Sequence, residues 1–251
     1  MAETILVTGA SAGFGQAICQ RLVADGHRVI GAARRIEKLQ ALHKELGEAF
    51  YPLQMDVTDL TQVDQALSSL PKAWEQIDVL VNNAGLALGL APAQKAETAD
   101  WLTMIQTNII GLTYLTRQIL PRMVERNEGY VINMGSTAGT VPYPGANVYG
   151  ASKSFVKQFS LNLRADLAGK QIRVTNIEPG LCEGTEFSSV RFKGDEKRVE
   201  ALYRDAHAIQ PEDIANTVSW LIQQPKHVNV NRIEIMPVSQ TFGPQPVYRG
   251  D

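Results

Sequence analysis

The chain has little cysteine, little histidine and almost no net charge. Only Cys19 and Cys182 stand among its 251 residues. They lie far apart, and Cys19 falls on a helix-like apolar face, where a thiol reads as a small buried hydrophobe rather than half of a disulfide. Free thiols suit a reducing cytoplasm. The four histidines, His27, His43, His207 and His227, show no metal-ligand spacing, so no metal site is expected. With 24 basic and 26 acidic residues the net charge is −2, which speaks against nucleic acid or an anionic membrane surface as partner. No apolar run is long enough to cross a bilayer. The first residues enter a strand pattern without a basic, signal-like leader, as expected of a cytoplasmic protein. What remains is an ordinary globular composition, 44% hydrophobic and 20% charged, at a length that suits one large α/β domain.

Strand-like and helix-like patterns alternate along that length. Apolar runs at 4–8, 28–33, 49–55, 78–81, 129–134, 172–177 and 232–236 read as seven strands. Helical periodicity covers 14–25, 36–46, 60–70, 146–168 and 211–223, with one or two helices over 98–126, where Pro121 marks a kink. Repeated β–α units with continuous apolar strands predict a doubly wound, mostly parallel Rossmann-type sheet with helices on both faces. There is no repeat, low-complexity tract or linker, so 1–251 reads as one domain. The segment after Gly180, about 181–208, is expected to cover a pocket. An extended tail, 237–251, carries Phe242 and Tyr248 and reads either as frayed or as crossing onto a partner subunit.

Between the first strand and the first helix lies TGASAGFG. Such a connection sits at the carboxyl edge of the sheet, where ligands bind. Gly9 permits a tight turn, while Gly13 and Gly15 remove Cβ atoms that would hold a pyrophosphate away from the helix start. Free N–H groups there, with Ser11 and Phe14 in the same loop, favour an anion. A purely structural turn is the alternative. The second strand ends in Ala32-Ala33-Arg34-Arg35, without the acid that would hold a ribose 2′-hydroxyl. Arg34 and the Ser11 hydroxyl suit a 2′-phosphate, which points to NADP(H) over NAD(H). Arg35 reads either as a second phosphate cation or as the solvated start of a helix. Asp56-Val57 after the third strand suits the adenine, and Asn83-Ala84-Gly85 after the fourth leaves room for a flat ribose or nicotinamide.

Ser136 closes the fifth strand, and Tyr149 and Lys153 stand four apart at the start of the next helix. Residues at that spacing share a helix face. Bringing a phenol of pKa ≈10 to about 7 takes roughly 4 kcal/mol, and an ammonium beside it, together with a positively charged nicotinamide, is expected to supply much of that. In isolation a Y-x-x-x-K pair also fits a plain helix surface.

Taken in order, TGASAGFG, NNAG, the Asn108 of QTNIIG, GSTAG, YGASK and IEPG resemble the short-chain dehydrogenase/reductase family over nearly the whole chain. The resemblance implies Tyr149 as acid/base, Ser136 as hydrogen-bond partner of the substrate oxygen, Lys153 on the nicotinamide ribose, and Asn108 holding a water behind Lys153. It places Pro179 and Gly180 beside the nicotinamide, with Thr185 near its carboxamide or the phosphates. It implies a homotetramer built on helix faces and the last strand. The stretches LVNNAGLALG and IEPGLCEGTEFSSVRFKGD are similar to the NADP-dependent 3-hydroxy acid (L-allo-threonine or serine) dehydrogenases and to the sulfoacetaldehyde reductases. A small anionic hydroxy or carbonyl substrate follows from that resemblance. Arg191, in the covering segment, is the candidate cation for its acid group, with Tyr143 and Asn147 next and Phe187 as a lid. A structural Arg191 is the alternative. Glu183 faces either solvent or a substrate amino group.

Overall fold

The computed structural model describes residues 2–243. Seven runs form one sheet, most of them rich in Val, Ile and Leu: β1 (Thr4–Thr8), β2 (Arg28–Ala33), β3 (Phe50–Gln54), β4 (Val79–Asn82), β5 (Gly129–Met134), β6 (Ile172–Pro179) and β7 (Arg232–Ile235). The order is β3-β2-β1-β4-β5-β6-β7. All six pairings are parallel, where the sequence predicts a mostly parallel sheet. The inner strands β1, β4, β5 and β6 are buried at every residue, as strands covered on both faces must be. The edge strands are not. β3 carries Pro52, whose missing N–H is tolerated at an edge, and β7 alternates between exposed and half-buried residues.

Helices α1 (Gly13–Ala24), α2 (Ile36–Leu46) and α9 (Pro211–Gln223) cover one face. Ile18, Leu22, Leu39, Ile214 and Val218 pack there against Ile5 and Val7 of β1. On the other face, α3 (Leu60–Ser68), α5 (Leu112–Arg126) and α6 (Asn147–Asp166) bring Val63, Leu115, Ile119 and Leu163 onto Leu6 and Leu80. Neighbouring β1 residues thus serve opposite cores, as strand geometry requires.

The stretch 98–126, read as one or two helices, is a single run in three parts. It comprises α4 (Thr98–Ile105), a π-helical turn over Gln106–Gly111, and α5, with Pro121 inside the last. The π-turn ends at Gly111, where a Cβ would stand 2.7 Å from the Val57 carbonyl oxygen. The covering segment contains two short helices that the sequence pattern does not show, α7 (Phe187–Arg191) and α8 (Glu196–Tyr203). Of the tail, 237–243 is described and turns back onto the same chain. Tyr248 lies outside the described residues.

Leu6 is fully buried in the second core. Leu6→Ala is expected to lower unfolding free energy by about 2–5 kcal/mol. In urea titration the midpoint falls while the slope stays constant.

Candidate active site

The chain runs outward from β1 through β2 to β3, then returns to β4 on the other side of β1. At that reversal the connections leave in opposite directions, and a crevice opens beyond the carboxyl ends. A cleft of about 620 Å³ lies there. Thr8, the last residue of β1, ties its rim together. Its hydroxyl accepts from the Asn83 and Ala84 amides at 3.0 and 2.9 Å, and its carbonyl accepts from Asn83 Nδ2 at 2.8 Å.

Gly9 takes φ +69°, a left-handed conformation that favours glycine. Gly9, Ser11, Gly13 and Phe14 line the cleft. Gly15 does not: a Cβ on it would stand 2.2 Å from the Gly9 carbonyl oxygen, so it serves close helix–loop packing rather than ligand approach. Ala12 leads into α1 without a side-chain cap, and the first turn carries no acid. The amides at this helix start are thus left to an anion. Gly13 packs on Thr185 of the covering segment, 3.0 Å from a Cβ position.

Arg34, Arg35, Asp56 and Val57 form the neighbouring wall. Arg34 is exposed, and its carbonyl accepts from Gln54. Arg35 is not simply the solvated start of a helix: its guanidinium donates to Ser11 Oγ at 3.0 and 3.2 Å. Asp56 Oδ1 accepts from the Thr58 amide and hydroxyl, at 2.9 and 2.8 Å.

At the far end, Ser136, Tyr149 and Lys153 line the cleft together. Burial pushes the Tyr149 phenol up to about 12, against the downward pull of a Ser136 hydrogen bond and of the Arg191 guanidinium. Burial also lowers Lys153 to about 8. Its Nζ donates to the Met134 carbonyl at 2.8 Å and lies 5.9 Å from the Tyr149 ring centroid. The depression of Tyr149 expected from Lys153 is therefore not produced by the protein groups alone. The same desolvation that isolates the pair disfavours both charges. Asn108 is buried in the π-turn and lies behind the cleft wall. Its Oδ1 accepts from the Leu86 amide, and its Nδ2 donates to Leu86 O and Ser152 Oγ. A Cβ on Gly85 would stand 3.3 Å from both Asn108 Oδ1 and Lys153 Nζ. That glycine keeps the space between them clear.

The covering segment brings Phe187 and Arg191 over this end. Phe187 tilts against Tyr149 with ring centroids 5.7 Å apart. Arg191 donates to Tyr143 OH at 2.9 Å, and its guanidinium carbon lies 5.4 Å from the Tyr149 ring centroid.

Residues 3–196 match the family model described as short chain dehydrogenase. The chain belongs to the short-chain dehydrogenase family. It is 59% identical over 239 residues to a probable NADP-dependent dehydrogenase of Haemophilus influenzae, covering 95% of each chain. It is 58% identical over 245 residues to an NADP-dependent 3-hydroxy acid dehydrogenase of Salmonella typhi, covering 98% of this chain and 99% of the relative. The closed form of a serine dehydrogenase complexed with NADP+ superposes with a TM-score of 0.97. That structure is 55% identical, and the match covers 98% of this chain and 100% of the other.

One expectation for this dehydrogenase fails on geometry. Asn147 is not a wall of the cleft. Its Oδ1 accepts from Trp101 Nε1 and the Val148 amide, and its Nδ2 donates to Ala91 O, so its amide is used in holding the start of α6. Of the two readings of Glu183, the one that aims it at a substrate finds no support: it is half-buried outside the cleft lining and accepts from Gln210 Nε2 at 2.6 Å. Pro179, Gly180, Thr185 and Tyr143 do line the cleft. Sequence reasoning missed Thr8, although its place before the glycine loop was visible. It also missed Gln240, whose Oε1 accepts from the Leu181 amide at 2.7 Å. No local pattern marks Gln240, because the contact spans 59 positions.

Lys153 titrates near 8 in the folded protein against an ordinary value of 10.5. Between those values the unfolded chain binds more protons, so this group makes stability rise with pH. Tyr149, raised to about 12, acts in the opposite sense only above about pH 10. The stability of wild type minus that of Lys153→Met, from urea titrations at about pH 7 and pH 9.5, is expected to grow by about 1–3 kcal/mol.

Proposed function

We propose that this dehydrogenase interconverts a small 3-hydroxy acid, serine-like or allo-threonine-like, and its carbonyl form, with NADP(H) as coenzyme. The observation that carries this reading is a guanidinium beside the phenol. Arg191 lies 5.4 Å from the Tyr149 ring, so an acid group on Arg191 brings a nearby hydroxyl to the phenol. The uncapped start of α1 fits a pyrophosphate, and Arg34 and Arg35, with Ser11, fit a 2′-phosphate. The relatives' printed NADP dependence supports the same coenzyme.

Bound NADP(H) supplies the hydride acceptor or donor. Gly9, Gly13, Phe14, Asp56, Val57, Asn83, Ala84, Gly85, Pro179, Gly180 and Thr185 shape its bed. Tyr149 takes the hydroxyl proton in one direction and returns it in the other. Ser136 hydrogen-bonds the same oxygen and holds it at the phenol. Lys153, poised near 8, orients the nicotinamide ribose. Asn108 and Gly85 frame a space for water behind Lys153. Arg191, oriented by Tyr143, clamps the substrate carboxylate. Phe187 closes over the reacting end and excludes water.

A sulfonate substrate, as in isethionate formation, is the second reading, and it rests on the sequence resemblance. A coenzyme sensor without turnover is disfavoured because Tyr149 and Lys153 both face the cleft. We also place the enzyme in the cytoplasm, on its two free cysteines. Among the described residues no helix is long and apolar enough to cross a membrane. We infer a homotetramer. The exposed Phe155, stacked on Phe159 at 6.0 Å along α6, supplies an apolar face for subunit contact. Analytical ultracentrifugation tests this, with a monomer as the contrary result.

Rates with L-serine, 3-hydroxypropionate and isethionate, compared as kcat/KM, test the substrate class. The hydroxy carboxylates are expected to lead, and a clear preference for isethionate would establish the sulfonate reading instead. Tyr149→Phe is expected to cut turnover by about 10²–10⁴ while NADPH still binds. Arg191→Met is expected to lower kcat/KM by about 10–100-fold for acid-bearing substrates, and much less for a neutral alcohol. Arg34→Ala is expected to weaken NADPH about tenfold or more, with NADH nearly unchanged, as read by nicotinamide fluorescence.

A further inference from the structure

The segment after β6 meets the cofactor bed at a second place. Glu186, one residue before α7, reaches over the cleft mouth to α2 and the residue that precedes it. Its carboxylate pairs with Arg35, at 2.9 Å from Nη2 to Oε2 and 3.1 Å from Nη1 to Oε1. It also pairs with Lys38 Nζ at 2.9 Å. These partners lie 151 and 148 positions away in the chain. The contact therefore joins the segment that carries Arg191 and Phe187 to the side of the cleft read as the 2′-phosphate corner. The two cations hold the Glu186 carboxyl down at about 2, so it is charged throughout the working range.

A carboxylate on a guanidinium and a phosphate on a guanidinium are the same recognition chemistry, two oxygens on a planar fork. Arg35 already spends two of its N–H groups on Ser11 and turns the others to Glu186. A 2′-phosphate seated on Arg34 and Ser11 would find the Glu186 carboxylate on the adjacent guanidinium. Two anions on neighbouring guanidiniums repel, and one must give way.

We propose that Glu186 is a coenzyme-specificity latch that competes with the 2′-phosphate of NADP(H) for Arg35. Arrival of the phosphate transfers Arg35 from the covering segment to the coenzyme, and Lys38 remains as the carboxylate's partner. NADH, which lacks the phosphate, leaves the Glu186–Arg35 pair in place. This inference rests on reading Arg34 and Arg35 as the phosphate corner. It adds a residue whose charge opposes the 2′-phosphate, on the segment that covers the substrate.

Glu186→Gln keeps the shape and removes the charge. Glu186 is half exposed, so the variant is expected to fold. Dissociation constants for NADPH and NADH, from nicotinamide fluorescence without substrate, are compared with wild type and with Arg34→Ala. The latch predicts that Glu186→Gln binds NADPH about three- to fivefold more tightly, the size expected of partly exposed ion pairs. NADH should stay within about twofold, and the NADPH gain should shrink at high salt. Unchanged or weaker NADPH binding overturns the latch, as does equal tightening of both coenzymes. If Arg34→Ala weakens NADPH selectively while Glu186→Gln does nothing, only the latch fails. If both variants leave NADPH unchanged, the phosphate corner fails with it. If Glu186→Gln alone responds, the latch stands, with Arg35 as the phosphate's cation.

Discussion

The parallel pairing of β1 with β4 is the constraint on which the site depends. Three register pairs, Ile5–Val79, Leu6–Leu80 and Val7–Val81, bring the ends of the two strands side by side. The two chain directions part there, and no crossover connection fills the crevice. Thr8 converts that proximity into a rigid edge, because one side chain satisfies two amides of the fourth-strand turn. The glycine loop and the NNAG turn are thus one piece of structure, although 75 residues separate Thr8 from Asn83.

Desolvation dominates the electrostatics of the reacting end. It raises Tyr149 and lowers Lys153 together, so a buried Tyr–Lys pair does not by itself make a good base. Arg191 and Ser136 are the protein groups that pull the phenol the other way. Arg191 comes from the segment that covers the cleft, not from the sheet. The acidity of the phenol and the position of that segment are therefore linked. The covering segment is held at several points: Arg191 on Gly89 O and Tyr143, Tyr203 on Ser188 and Cys182 O, and Glu186 on Arg35 and Lys38. Most of these contacts are polar and partly exposed, which leaves them individually weak.

Strand and helix positions followed closely from hydrophobic period. The four strands buried at every residue, β1, β4, β5 and β6, left little ambiguity. The covering segment was not legible in that way. Its helices α7 and α8 are short, and their register comes from contacts with Tyr143, Gly89 and Cys182 rather than from an apolar stripe. Asn147 misled for a related reason. It stands two residues before Tyr149, but a turn with φ +23° aims its amide at Trp101 and Ala91 instead of the cleft.

The sequence by itself determined the α/β architecture, the carboxyl-edge position of the glycine loop, and the Tyr149–Lys153 spacing. Each is set by local geometry: strand alternation, turn conformation, or the 3.6-residue helical repeat. Tertiary structure alone decided that Arg35 is tied to Glu186, that Gln240 returns to Leu181, and that Asn108 stands behind Gly85 rather than in the cleft. Those contacts join residues far apart in the chain, and nothing in a neighbouring residue's chemistry announces the partner that folding will place beside it.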